Sequence, residues 1–137
     1  MYGALEISTS GLIAQRTRLE AITENIVNKD TVLDANGKNN PFQRRVVYFA
    51  PGNPAASTLA GKAGGVHVSS IQAEGGFEVR YEPGSPYADE RGYVKHPAIN
   101  TAFEQLNAYE AQRAYEANIA AAETTKTMMA QALRLLG

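Results

Sequence analysis

The sequence predicts an α+β fold in which long N- and C-terminal helices pair as a coiled-coil-like layer, with a small β-rich insert between them. Three observations predict it. Large apolar residues recur every seven positions at both ends of the chain. The stretch from Ala102 to Leu136 contains neither Pro nor Gly, so nothing in it breaks a helix. Between the two ends, three β-branched and aromatic segments are separated by Gly- and Pro-rich turns.

In the first segment Leu5, Leu12, Leu19 and Ile26 form the seven-residue series, and Ile22 fills the intervening position near its end. Ser8 and Gln15 occupy the other intervening places, so the stripe is narrow, and Ser8-Thr9-Ser10-Gly11 is a run of poor helix formers. Such a helix is marginal alone, and its large side chains are too few to bury a wide face on its own insert. A frayed N-terminus is therefore expected in the free monomer. Turn residues from Asn28 to Asn40, including Asp34-Ala35-Asn36-Gly37, end the helix.

The strands are expected at Phe42–Phe49, Val66–Ile71 and Phe77–Tyr81. Gly75-Gly76 reads as a hairpin turn joining the last two. Pro51 to Gly65 is Gly, Ala, Ser and Pro without periodicity, the composition of a mobile surface loop. Pro83-Gly84-Ser85-Pro86 and Gly92 bracket a further turn region. The chain thus divides into an N-terminal helix over 1–29, a small β-rich insert over 30–98 with mobile loop 51–65, and a C-terminal long helix over 99–137.

Pro97 precedes the last helix, and Asn100 or Thr101 offers its N-cap. Tyr115, Ala122, Met129 and Leu136 form one seven-residue series, with Ile119, Lys126 and Leu133 as a second. A helix of about 35 residues is ~50 Å long, more than the diameter of a globular domain of this size. Alanines at 114, 117, 120, 121 and 122 allow a partner helix to approach closely. Glu110 with Arg113 and Glu123 with Lys126 are spaced to pair on its exposed face.

Composition narrows the function. The 137 residues include 13 Lys and Arg against 14 Asp and Glu, which offers no surplus of positive charge to nucleic acid or anionic lipid. With no Cys, thiolate nucleophiles, disulfides and zinc-thiolate sites are excluded together. The N-terminal residues lack the basic start and apolar run of a secretory signal, and no stretch approaches the ~20 apolar residues of a membrane span. The expectation is a cytoplasmic protein or one exported without a cleaved signal.

No catalytic, cofactor or metal site is expected. His67 and His96 lack a second ligand-type residue three or four positions away. Gly61-Lys62-Ala63-Gly64-Gly65 lacks the order of a phosphate loop, no nucleophile elbow surrounds Ser69, Ser70 or Ser85, and Asp89 and Glu90 are adjacent rather than opposed. A small hydrolase built from Ser69 or Ser70 with His67 or His96 has no supporting motif. A soluble coiled-coil dimer or adaptor remains the alternative to an assembling structural subunit.

The two termini carry a resemblance. Asn25-Ile26-Val27-Asn28-Lys29-Asp30-Thr31 resembles the Asn-Leu-Ala-Asn-x-x-Thr motif closing the N-terminal helix of bacterial flagellar rod, hook and hook-associated axial proteins. Arg113-Ala114-Tyr115-Glu116-Ala117-Asn118 resembles the Arg-Ala-Tyr-Gln-Ala-Asn motif of their C-terminal helix, with Glu116 in place of Gln. The segment from Tyr81 to Val94 is similar to the Tyr-x-Pro-x-His-Pro-x-Ala-x-x-x-Gly-Tyr-Val signature of the C-type proximal rod subunits, with Ser85 in place of His.

That resemblance implies a structural subunit of the flagellar basal-body proximal rod, polymerising helically into a driveshaft around an export channel and passed unfolded through the flagellar type III apparatus. It implies as partners copies of itself, the other rod proteins, the basal-body MS-ring and export-gate components, and surrounding bushing rings. No nucleic acid, small-molecule substrate or cofactor is implied. The expected assembly interface sets Leu5, Leu12, Leu19, Ile22 and Ile26 against Tyr115, Ile119, Met129, Leu133 and Leu136, with the motif residues Asn25, Asn28, Arg113 and Asn118 alongside.

Overall fold

The computed structural model describes residues 1–137. Helix α1 spans Tyr2–Val27 and helix α3 spans Thr101–Leu136. They pack antiparallel as the main contact of the molecule. Between them run β1 (Arg44–Pro51), the short helix α2 (Leu59–Gly64), β2 (Val66–Glu74), β3 (Phe77–Tyr81) and β4 (Tyr93–Pro97). The fold is α+β, with the terminal helices as one layer, the antiparallel β1–β2 sheet packed on α1, and a second small antiparallel sheet, β3–β4, farther out in the insert. No helix is long and apolar enough to cross a membrane.

The helix ends follow local chemistry. The Asn100 side chain accepts from Phe103 N at 3.2 Å and starts α3. At the other end of the layer, Asn28 Nδ2 donates to Glu24 O at 2.8 Å, and Thr31 Oγ1 donates to Asn28 Oδ1 at 3.1 Å. Those bonds satisfy the last turn of α1 and turn the chain into the insert.

Strand pairing departs from the expected hairpin. β2 pairs with β1, from Arg44↔Glu74 to Pro51↔Val66, and β3 pairs with β4, from Phe77↔Pro97 to Tyr81↔Tyr93. Gly75 and Gly76 do have the positive φ that a tight turn requires, 97° and 60°. They use it to swing the chain from one sheet to the other. The physical reason is length: β1 offers β2 a ladder along nearly all of its nine residues, whereas β3 offers five. Ser69 is the extra residue of a bulge on β2, and its Oγ donates to Tyr48 O at 3.1 Å. Strand β4, not expected from the sequence, follows a loop closed by Asp89, whose Oδ1 accepts from Arg91 N and Tyr93 N, both at 2.9 Å. The bond from Tyr93 N is the main cause holding the Asp89 carboxyl below its ordinary pKa.

The stretch from Pro51 to Gly65, expected as a loop without regular structure, contains α2 and is tied to α1. Glu6 accepts from both backbone N–H groups and both hydroxyls of Ser57 and Thr58, with N···O distances of 2.8 and 3.1 Å. These bonds, led by the Ser57 hydroxyl, hold the Glu6 carboxyl at a pKa of about 2. Thr58 in turn caps α2, its Oγ1 accepting from Gly61 N at 3.0 Å.

The core is thin. Only 15 of 137 residues are buried, and the buried apolar ones are mostly alanines, with Ile22 and Val94. The accessible surface is 9031 Å². A compact monomer of 14.7 kDa exposes about 6,900 Å² by size scaling, so this chain exposes roughly 2,000 Å² more.

Candidate functional site: the paired terminal helices

Three contacts fix the register of the helix layer. A Cβ placed on Gly11 would lie 2.6 Å from Asn118 Nδ2, so the Asn118 amide occupies the space that the missing side chain leaves. Arg18 Nη2 reaches Glu110 Oε2 at 3.5 Å, and Asn25 Nδ2 reaches Glu104 Oε2 at 3.3 Å. As the chain climbs α1 it descends α3 by matching steps.

Along α3 a series of buried and half-buried positions, Glu104, Ala108, Ala111, Tyr115, Asn118, Ala122, Thr125, Met129 and Ala132, alternates steps of four and three, with Thr101, Asn107 and Ala114 half-buried beside it. This is a heptad seam. It contains the expected series Tyr115, Ala122 and Met129, but its second series is Ala111, Asn118, Thr125 and Ala132. Ile119, Lys126 and Leu133, expected on the seam, point outward, with Ile119 37% and Leu133 68% exposed. The reason is close packing: the alanines of this seam, and Gly11 opposite Asn118, let the two backbones approach, and Ile119 and Leu133 lie off it. α1 buries Gly3, Ser8, Ser10, Ala14, Ala21, Ile22 and Asn25, of which Gly3 packs on Ala60 of α2 and Ser10 Oγ accepts from Val66 N of β2, so small residues also serve its contact with the insert. Small residues therefore give α1 the broad buried face that its large apolar residues do not predict.

The other expected interface residues are distributed as follows. Leu5, Leu12, Leu19 and Ile26 are half-buried, Ile22 is buried, and Arg113 is exposed with its guanidinium 6.0 Å from the Tyr109 ring centre. Leu136 is 86% exposed because α3 outruns α1. Asn28 is a helix cap. Glu110 pairs with Arg18 across the layer rather than with Arg113, and Glu123 makes no ion pair with Lys126.

Asn25 differs from expectation most clearly, since it is 0% exposed and has no surface for another subunit. Its amide clamps β1 to α1: Nδ2 donates to Arg45 O at 2.9 Å, and Oδ1 accepts from Arg45 N at 2.8 Å. Asn25 thereby imitates one residue of a neighbouring strand. Asn39 does the same for β4, donating to Lys95 O at 3.1 Å and accepting from Lys95 N at 3.0 Å. Two open sheet edges are partly closed by side-chain amides.

Beneath Asn25 lies Glu104, also 0% exposed, paired with the Arg44 guanidinium. Sequence reading missed this residue. Its one signal is its place four before Ala108 and seven before Ala111, a seam position held by a carboxylate. Arg44 also lies over Phe103, 5.4 Å from the ring centre. α1, β1 and the start of α3 are thus joined by one buried polar cluster.

Outside this cluster, the residues weighed for catalysis are dispersed. His67 Nδ1 is 2.8 Å from Gly52 O, and His96 Nε2 is 3.2 Å from Glu82 Oε1. Ser69 Oγ bonds to Tyr48 O of β1 and makes no hydrogen bond to either histidine.

The arrangement is that of a structural subunit: paired terminal helices, an insert bolted to them, and abundant apolar surface left open. Comparison with known proteins gives this class a name. Residues 90–135, from the end of the insert through nearly all of α3, match the family model described as the flagellar basal body rod FlgEFG protein C-terminal. Over 98% of this chain and 97% of the relative, it is 37% identical to the flagellar basal-body rod protein FlgC of Salmonella typhimurium. The same coverage holds for the FlgC proteins of Escherichia coli O157:H7, at 36% identity, and Bacillus subtilis, at 32%. These similarities place the fold among the rod proteins of the bacterial flagellum. The chain belongs to the FlgC family, and its function is that of a structural rod subunit of the flagellar basal body.

Proposed function

We propose that this chain is a non-enzymatic subunit of the proximal rod, added helically through its terminal helices to the driveshaft that surrounds the export channel. Export through the flagellar type III apparatus without a cleaved signal brings it to the periplasmic rod. Its partners are copies of itself, other rod proteins, and, at the base and flank of the rod, MS-ring, export-gate and bushing-ring components. The exposed members of the layer, among them Ile119, Arg113, Leu133 and Leu136, form the surface between subunits, with half-buried Leu5, Leu12, Leu19, Ile26, Tyr115, Asn118 and Met129 completed by neighbours.

The observation carrying this reading is the surplus of roughly 2,000 Å² of accessible surface over a compact monomer. That matches the area of an obligate interface and exceeds what a lone chain has reason to expose. Much of it is apolar, including Tyr2, Ile13, Leu106, Leu133, Leu135 and Leu136. Imaging basal bodies from cells lacking the chain tests the proposal. The expected result is a retained membrane ring with no rod. A complete rod in those cells, or a closed dimer as the end point of association of the purified chain, would overturn it.

A further inference from the structure

Side-chain amides close part of two sheet edges, Asn25 on β1 and Asn39 on β4, but the outer edge of β3 has no such cover. The direction of its main-chain groups follows from the opposite strand. Asn39 takes both main-chain groups of Lys95, and Asp89 takes both of Tyr93, so these two residues face away from β3. Lys95 lies opposite Val79, and Tyr93 opposite Tyr81. In an antiparallel ladder two opposed residues either bond to each other or both face outward. Val79 and Tyr81, and by alternation Phe77, therefore direct N–H and C=O along an open edge. Their side chains share one face of the sheet, where Phe77, Val79 and Tyr81 are 47%, 54% and 65% exposed. The other face carries Glu78 and Arg80, which pair along the strand at 3.4 Å.

An open edge is a template for another strand, and charged side chains on it commonly oppose pairing. Here the charges favour it, because Phe77-Glu78-Val79-Arg80-Tyr81 complements its own reverse. Set antiparallel about Val79, two copies of β3 place Val79 against Val79, Phe77 against Tyr81 and Glu78 against Arg80. Phe77, Val79 and Tyr81 are the outward-facing residues, so each gives and takes a main-chain bond. Glu78 and Arg80 then occupy the non-hydrogen-bonded sites, where opposed side chains stand closest. Each carboxylate meets a guanidinium both across the new ladder and along its own strand. On the other face, Phe77 of one copy meets Tyr81 of the second, beside the edge-to-face Tyr81–Tyr93 pair. Centring the ladder on Phe77 or Tyr81 instead would set Val79 against Gly75 or Pro83 and shorten it.

We propose that two unassembled copies of this chain pair edge to edge through β3, joining their small sheets into one of order β4–β3–β3–β4. Charge complementarity selects the occupant of the edge, the same strand of a second copy. The contact is isologous and closes on itself. Subunits added helically to a rod all point one way, so two copies related by a two-fold cannot both keep this contact within it. The pair is therefore a state of the chain before assembly, which covers an aggregation-prone edge and leaves both helix layers open. Two five-residue strands bury far less than a permanent interface, so the pair is weak and concentration-dependent, a step in association rather than its end point.

Analytical ultracentrifugation of the purified full chain over a concentration series tests it, with amide exchange read at Phe77, Val79 and Tyr81. The wild type is expected to show a monomer–dimer step, and those amides should slow as the dimer forms. Arg80→Glu and Glu78→Arg each set like charges opposite one another at both ends of the ladder, and each should raise the dimer dissociation constant by about tenfold or more. Both side chains are more than half exposed, so the fold is kept. Mixed in equal amounts, the two variants should pair with each other and recover the wild-type constant. Association that skips the dimer, a dimer that neither variant weakens, or a mixture that does not recover would overturn the inference. Those results leave the rod reading standing, whereas absence of the unaltered chain from basal bodies would refute the rod reading and not the pairing.

Discussion

Replacing Asn25 by Ala tests whether the buried polar cluster holds the insert to the helices. The side chain is fully buried and makes three hydrogen bonds: to Arg45 O at 2.9 Å, from Arg45 N at 2.8 Å, and to Glu104 Oε2 at 3.3 Å. Truncation strands the two main-chain groups of Arg45 at about 1 kcal/mol each and removes one donor from a buried carboxylate, worth about 1.5–3 kcal/mol. The expected loss of about 3.5–5 kcal/mol is a large part of a total stability of roughly 5–15 kcal/mol. With a urea slope of about 2 kcal/mol/M, the unfolding midpoint of the purified chain should fall by about 2 M. Asn25→Asp is the informative companion. It keeps the size and the acceptor for Arg45 N, but it cannot donate to Arg45 O or Glu104 and sets a second carboxylate against the first. It should destabilise at neutral pH at least as much as Ala and recover as acid protonates the new carboxyl, which then becomes a donor. Midpoint shifts below about 0.5 M for both variants would refute the reasoning, because they would imply a cost under ~1 kcal/mol and a cluster that carries no weight.

Gly11→Ala should weaken the helix layer by about 1–3 kcal/mol through overpacking against Asn118, and Asn118→Ala in the same chain should restore most of the loss in thermal unfolding. Glu6 binds Ser57 and Thr58 as a carboxylate, its pKa lowered from 4.5 to about 2. The stability it contributes is therefore present above pH 4.5 and lost as pH falls toward 2. Glu6→Gln should flatten the unfolding midpoint across that window and speed amide exchange at Ser57 and Thr58. Leu133→Asp alters a position already 68% exposed in the chain, so stability should stay within about 0.5 kcal/mol while swimming in soft agar is lost. Joint replacement of His67, His96 and Ser69 by Ala should leave motility nearly intact, and its loss in a variant that still enters the rod would reopen a catalytic reading.

Much of the architecture was legible in the chain alone because helices and strands are local events. Seven-residue spacing, the Pro- and Gly-free run to Leu136 and the Asn100 cap are written within a few residues of the structure they produce. The terminal motifs around Asn25 and Arg113 likewise pointed to the rod family before any contact was known. What the tertiary structure decided was which groups meet. Periodicity in large apolar residues favoured Ile119 and Leu133 for the seam, whereas close approach selected Ala111 and Asn118, because the missing side chain at Gly11 leaves room for the Asn118 amide. Gly75-Gly76 announced a turn, but the partner of β2 depended on the longer ladder offered by β1 across the intervening α2. The links from Glu104 to Arg44 and from Glu6 to Ser57 join residues 60 and 51 positions apart. No local pattern encodes them: burying a carboxylate is favourable only where folding has already brought its donors together.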